Sequence, residues 1–138
     1  MSTKVYADTS AVAKLFIAEP QTADLRDWLD GLSEPSLVSS ALLSVELLRL
    51  LRLVNPASVR GAERFLATNI DIVEITPPVL DDATKMPPPR LRTLDAIHLA
   101  TALDLGASVD VLLSYDRMLI EAASSAGLAV ACPGAIIR

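Results

Sequence analysis

The sequence predicts an α/β fold with a central, mostly parallel sheet, and three observations carry that prediction. Short apolar segments with a preference for extended backbone alternate along the chain with segments of helical periodicity, the pattern of a parallel sheet covered by helices on both faces. The 138 residues, 51% of them hydrophobic, suffice for one domain with a real core and not for two. Finally, two of the strand-like segments run directly into an aspartate, and in an open α/β sheet the carboxyl edge is where ligands bind.

The first element is a strand around Val5 and Tyr6 that ends at Asp8, with Thr9 or Ser10 as cap of a helix from Ala11 to Ile17. Asp8 can itself be read as no more than the cap of that helix. Glu19-Pro20 breaks the pattern, and Thr22 to Leu29 reads as a second helix, with Leu25, Trp28 and Leu29 on one face and Gly31 as its stop. Leu37-Val38 is a short strand, after which Ser39 or Ser40 caps a long helix from Ala41 to about Val54. That helix carries two apolar stripes (Leu43, Leu47, Leu50, Val54 and Leu42, Val45, Leu53), enough for burial against both the core and a partner subunit. Pro56 opens a helix to about Asn69, and Ile70 to Ile75 reads as a strand. A short helix from Pro77 ends near Met86, and Pro87 to Arg92 form a stiff basic loop. Thr93 caps a helix from Leu94 to Leu105 that Gly106 closes. Val109 to Leu113 is a strand leading into Ser114-Tyr115-Asp116, Met118 to Ala126 a helix, and Leu128 to Ala131 a final strand. No repeat, linker or low-complexity segment interrupts the series.

Composition narrows the function. Five aromatic residues leave Leu, Val, Ile and Ala to fill the interior and supply no platform for stacking bases. One cysteine, Cys132, excludes an internal disulfide, and together with the single histidine, His98, it cannot build the usual zinc site. A reducing compartment follows, and with neither a signal segment nor a membrane-spanning run the expected location is the cytoplasm. The formal charge of -5 argues against a broad basic face that coats nucleic acid. It leaves room for clustered carboxylates that become nearly neutral around a bound cation.

Four acids are candidates for such a cluster. Asp8 and Asp116 stand at the carboxyl ends of strands, while Glu46 and Asp95 lie in helices that leave strand or loop ends. Usual right-handed winding brings all four to one edge. Clustered carboxylates repel unless protonated or bridged, and oxygen-only ligands suit the hard ions Mg²⁺ and Mn²⁺. Such an ion lowers the pKa of bound water and shields a leaving oxygen, which defines metal-dependent phosphodiester hydrolysis. Singly, each acid has a plainer role: Glu46 precedes Arg49 by three residues, as in a helix-surface ion pair, and Asp95 near a helix start complements the helix dipole. Glu46 is the more anomalous, because it interrupts a run of leucines and valine. His98 can reach the same site or pack against its neighbours.

These residues carry a resemblance. Asp8-Thr9-Ser10 followed by Lys14, Glu46 in an apolar helix, Leu94-Asp95-Ala96-Ile97-His98-Leu99-Ala100 after a basic loop, and Leu113-Ser114-Tyr115-Asp116 resemble, in order and spacing, the PIN-domain ribonucleases, more narrowly the VapC toxins of toxin-antitoxin pairs. The resemblance covers nearly the whole chain. It implies a single PIN domain over residues 1–138, a three-layer α/β/α fold and a Mg²⁺- or Mn²⁺-dependent endoribonuclease with Asp8, Glu46, Asp95 and Asp116 as its acidic cluster. It also implies an RNA substrate, a homodimer and a cognate VapB-type antitoxin whose tail enters the active-site groove. Ser114 stands where many relatives have threonine. As roles, Asp8 and Asp95 are expected to ligate the metal directly, with Glu46 and Asp116 holding a second ion or ordering water; Ser10 supports Asp8, and Ser114 is a further supporting residue. Lys14, Arg49, Arg90, Arg92 and Arg117 are the nearest basic residues along the chain and are candidates for phosphate contacts. A PIN nuclease of RNA processing that has no antitoxin fits the same residues, and a PIN-fold binding module without catalysis is the reading from another class.

Overall fold

A computed structural model describes residues 2–135. Five strands, β1 (Thr3–Ala7), β2 (Pro35–Ser40), β3 (Asp71–Val73), β4 (Val111–Leu113) and β5 (Val130–Ala131), all pair in parallel in the order β3-β2-β1-β4-β5. Helices fill every connection: α1 (Thr9–Ala13) and α2 (Thr22–Asp30), then α3 (Leu42–Val54) and α4 (Val59–Thr68), then α5 (Pro77–Thr84) and α6 (Thr93–Leu105), and finally α7 (Arg117–Ser125). The chain builds outward from β1 through β2 to β3, returns to the other side of β1, and continues through β4 to β5. The winding therefore reverses between β1 and β4, the position at which an open sheet leaves a crevice at its carboxyl edge.

Alternation along β1 separates the two faces. Val5 and Ala7 join Leu25 of α2, Leu43, Leu47 and Leu51 of α3 and Ala62 of α4 in one core. Tyr6, on the opposite face, joins Leu99 and Ala102 of α6 with Leu119, Ala122 and Ala123 of α7. Helix α5 covers the outer side of α6 through Val79, Ile97 and Ala100. Enclosed between sheet and α5, α6 buries every residue from Ala96 to Ala102, which is why its sequence is apolar on all sides.

The elements match the expected ones, with differences at their ends. Asp8, not Thr9 or Ser10, caps α1: its side chain accepts from Ala11 N. The helix closes at Ala13, short of the expected Ile17, because Lys14 N and Leu15 N reach back three residues, to Ala11 O and Val12 O at 3.2 and 3.0 Å. Arg92 is the N-cap residue of α6 and makes no side-chain cap bond, with Thr93 already helical. Ser40 Oγ does accept from Leu42 N at the start of α3. Only residues 71–73 of the expected 70–75 strand pair, since β3 is an edge that has β2 alone as neighbour. In α3 the buried stripe is Leu43, Leu47 and Leu51 and departs from the expected one at Leu50 and Val54, while Val45, Leu53 and Val54 are 59%, 80% and 54% exposed. Among the described residues no helix is long and apolar enough to cross a membrane.

Leu47 is fully buried at the centre of the first core. Leu47→Ala is expected to lower the unfolding free energy by about 3 kcal/mol in a urea titration, as deletions of well-packed leucines do.

Candidate active site

The carboxyl ends of β1 and β4 are fastened together by hydroxyl groups around one buried acid. Asp8, 3% exposed, accepts at Oδ1 from Ser10 Oγ (2.7 Å) and Ala11 N (3.1 Å), and at Oδ2 from Ser114 Oγ (2.7 Å). Ser10 Oγ also accepts from Tyr115 N at 2.8 Å, and Ser114 Oγ from Asp116 N at 3.0 Å, so both serines bridge the two strand ends. Burial pushes the Asp8 carboxyl above its ordinary value, although the donors from Ser114, Ser10 and Ala11 pull the other way.

The other three acids reach the same place from three helices. Glu46, in the second turn of α3, accepts at Oε1 from both Thr9 Oγ1 and His98 Nε2, each at 2.8 Å. Burial raises its pKa, but the bonds from His98 and Thr9 outweigh that and hold the carboxyl below its usual range. Asp95 lies in the first turn of α6. Its Oδ2 is buried without a hydrogen bond, though Arg92 Nε stands 3.4 Å away. Its pKa is raised, first by burial and then by the charges of Asp116 and Asp8, with Arg92 opposing. Asp116 caps α7, accepting at Oδ1 from Leu119 N (3.1 Å) and at Oδ2 from Arg92 Nη2 (2.5 Å).

All four carboxylates line one open cavity of about 300 Å³, with Thr9, Ser10, Arg92 and His98. The structure thus gathers Asp8, Glu46, Asp95, Asp116 and Ser10, with Ser114 directly behind Asp8. It gathers only one of the five basic candidates. Lys14 is buried at the end of α1, 3.3 Å from Glu19 and 4.5 Å above the Tyr115 ring. Arg49 lies beside Leu50 and Leu53 on the α3 surface, Arg90 lines a separate apolar cavity with Met86 and Met118, and Arg117 pairs with Glu121 at 3.0 Å. Closeness along the chain did not bring these four to the cavity: Lys14 turns to Glu19 past the end of α1, Arg90 lies in the loop before α6, and Arg49 and Arg117 lie on helices, where successive side chains turn by about 100°. Thr9 and Tyr6, which contact Glu46 and His98, were missed: a threonine and a strand tyrosine carry no sequence signal beyond cap and strand preference.

The donor set fits a hard divalent cation. Four carboxylates face one arginine and one histidine, and Asp95 Oδ2 is a buried oxygen awaiting a partner. As they stand, no three His, Cys, Asp or Glu side chains among the described residues are drawn together tightly enough to hold an ion. Arg92 bridges Asp95 and Asp116 instead, with Nε toward one and Nη2 toward the other.

The PIN-domain family model matches residues 5–125, and the chain belongs to that family. Within it the chain groups with the VapC ribonucleases: it is 42% identical to Ribonuclease VapC35 of Mycobacterium tuberculosis over 132 residues, 94% of this chain and 97% of the relative. Among solved structures, Mycobacterium tuberculosis VapC20, described as a sarcin-ricin loop cleaving toxin, superimposes with a TM-score of 0.73 at 20% identity, covering 94% of this chain and 99% of that one. A toxin-antitoxin complex from Klebsiella pneumoniae contains a chain that superimposes with a TM-score of 0.67 at 18% identity, covering 96% and 99%.

The raised pKa of Asp95 has a consequence for stability. A carboxyl that binds its proton more tightly folded than unfolded contributes stability fully present below the unfolded pKa and lost as pH rises through the folded one. Asp95→Asn removes that loss. In thermal melts without metal the variant is expected to be more stable than the parent at neutral pH, the gap closing as the pH falls through the folded pKa.

Proposed function

We propose that this chain is a single-domain, Mg²⁺- or Mn²⁺-dependent endoribonuclease, the toxin of a toxin-antitoxin pair, with Asp8, Glu46, Asp95 and Asp116 as its acidic site. The observation that carries the reading is the meeting of these four carboxylates, from four separate stretches of sequence, in one cavity at the β1/β4 crevice. Nothing in the packing of a fold calls for that, since each added like charge raises the cost of the next. When bound, the cation would activate water and screen the charge that develops on the leaving oxygen.

The protein's own groups divide the remaining work. Asp8 and Asp95 are the direct ligands in this reading, Glu46 and Asp116 hold a second ion or order water, and Ser10 and Ser114 keep Asp8 in place. Arg92, which bridges Asp95 and Asp116, would be placed to meet a phosphate of the RNA with those acids holding a cation. The cytoplasm is the compartment we assign. The partner antitoxin follows from the VapC relatives and from the Klebsiella complex, and a homodimer is supported by the exposed Val45, Leu53 and Val54 on α3.

Two experiments test this. Asp8→Asn and Asp95→Asn are each expected to reduce Mn²⁺-supported cleavage of RNA by roughly 10³-fold or more with an unchanged far-UV spectrum, and chelation should abolish the parent's activity until Mg²⁺ or Mn²⁺ is restored. Full activity in either variant, or activity indifferent to chelation, refutes the site. Leu53→Glu, a change at a residue 80% exposed in the single chain, is expected to convert a dimer to a folded monomer in sedimentation analysis.

A further inference from the structure

Behind the cavity, a buried run of hydrogen bonds connects the core to Glu46. The Tyr6 hydroxyl lies 2.8 Å from His98 Nδ1, and His98 Nε2 lies 2.8 Å from Glu46 Oε1. Tyr6 and His98 are 0% and 2% exposed, and their rings meet edge to face with centroids 5.9 Å apart. An imidazole inside the apolar stretch Ala96–Ala102 is costly unless both nitrogens are bonded, and here both are. An ionised carboxylate only accepts, so Nε2 carries the hydrogen toward Glu46, while Nδ1 shares a hydrogen bond with the Tyr6 hydroxyl. His98 thereby donates to Glu46 and is itself held from behind by Tyr6.

We propose that Tyr6 and His98 are positioning residues for Glu46. With Thr9 they engage Oε1 from two sides, fix the carboxylate on the cavity wall, and leave Oε2 as the oxygen available to a cation. No hydrogen bond is made by Oε2 among the described residues, whereas both oxygens of Asp8 and of Asp116 are engaged. The inference rests on the reading of Glu46 as a member of the metal-holding set. Its physical content is that the strand β1 and the helix α6 fix the orientation of a ligand carried by α3, so the three elements are coupled through one carboxylate. Partners of ligating carboxylates typically change metal affinity or activity by 10–100-fold when removed.

The test compares His98→Leu, which keeps much of the volume and loses both nitrogens, with His98→Gln, whose amide can still donate toward Glu46. Mn²⁺ binding is measured by the electron paramagnetic resonance of the free ion, alongside kcat and KM for RNA cleavage. His98→Leu is expected to weaken Mn²⁺ binding by about tenfold or more and to lower kcat with little change in KM; His98→Gln should recover most of both. Tyr6→Phe, which removes one oxygen from the core, should act in the same direction by a smaller factor, and serves where His98→Leu does not fold. Made on Glu46→Gln, either change should add little, because the group it positions is gone. Parental Mn²⁺ affinity in folded His98→Leu or Tyr6→Phe, or effects that simply add to those of Glu46→Gln, overturns the proposal. If Glu46→Gln alone leaves Mn²⁺ binding and cleavage at parental levels, the acidic-site reading is what has failed, and this proposal falls with it.

Discussion

Electrostatic crowding at the carboxyl edge between β1 and β4 is the constraint to which the rest of the structure responds. Strand order places Asp8 and Asp116 on adjacent strand ends, and the starts of α3 and α6 bring Glu46 and Asp95 to the same opening. Each acid is handled by a different local device. Asp8 is enclosed by two serine hydroxyls and a backbone amide, Glu46 by a threonine and the buried histidine, and Asp116 by the amide it caps and by Arg92. Asp95 has a buried oxygen with no hydrogen bond. Burial raises the pKa of Asp8, and burial followed by the charges of Asp116 and Asp8 raises that of Asp95, so that keeping either carboxyl ionised costs folding stability.

The apolar framework makes that concession tolerable. Leu43, Leu47 and Leu51 fix α3 against one face of the sheet, and Leu99 with Ala96, Ala100 and Ala102 fixes α6 against the other face and α5. Glu46 and His98 therefore approach each other from opposite sides of the sheet's edge on rigid supports. A carboxylate held on a well-packed helix keeps its place far better than one on a loop.

Much of this was legible in the sequence, for reasons that can be named. Val5 and Tyr6 ahead of Asp8, and the apolar run Val109 to Leu113 ahead of Asp116, give strands whose polarity fixes where the acids lie once the sheet is parallel. Glu46 was conspicuous because charge in a leucine-rich helix requires a partner, although that partner is His98 and Thr9, not Arg49. What stayed hidden depended on side-chain direction over long sequence separations. Tyr6 to His98 spans 92 residues and Thr9 to Glu46 spans 37, and neither pair has any local pattern to announce it. Lys14 shows the opposite failure: near Asp8 in sequence, it is spent on Glu19 and the Tyr115 ring. At α1 the reading of Asp8 as the helix cap holds, and the same side chain is also a buried acid.

The charge balance of the cavity bears on how such a protein engages RNA at all. Among the described residues, Arg92 is the one arginine or lysine lining the cavity beside four carboxylates, in a chain of net charge -5, and that opening would repel a polyanion. In this state Arg92 is committed to Asp95 and Asp116. Neutralising the carboxylates reverses both conditions together: the opening ceases to repel, and the guanidinium is free to form the planar, paired contacts with phosphate for which it is suited. On the proposed function, binding of the cation and binding of the substrate are thus coupled through Arg92. On the same reading, the negative charge that looks unfavourable for a nuclease in the sequence count would make RNA binding conditional on the metal.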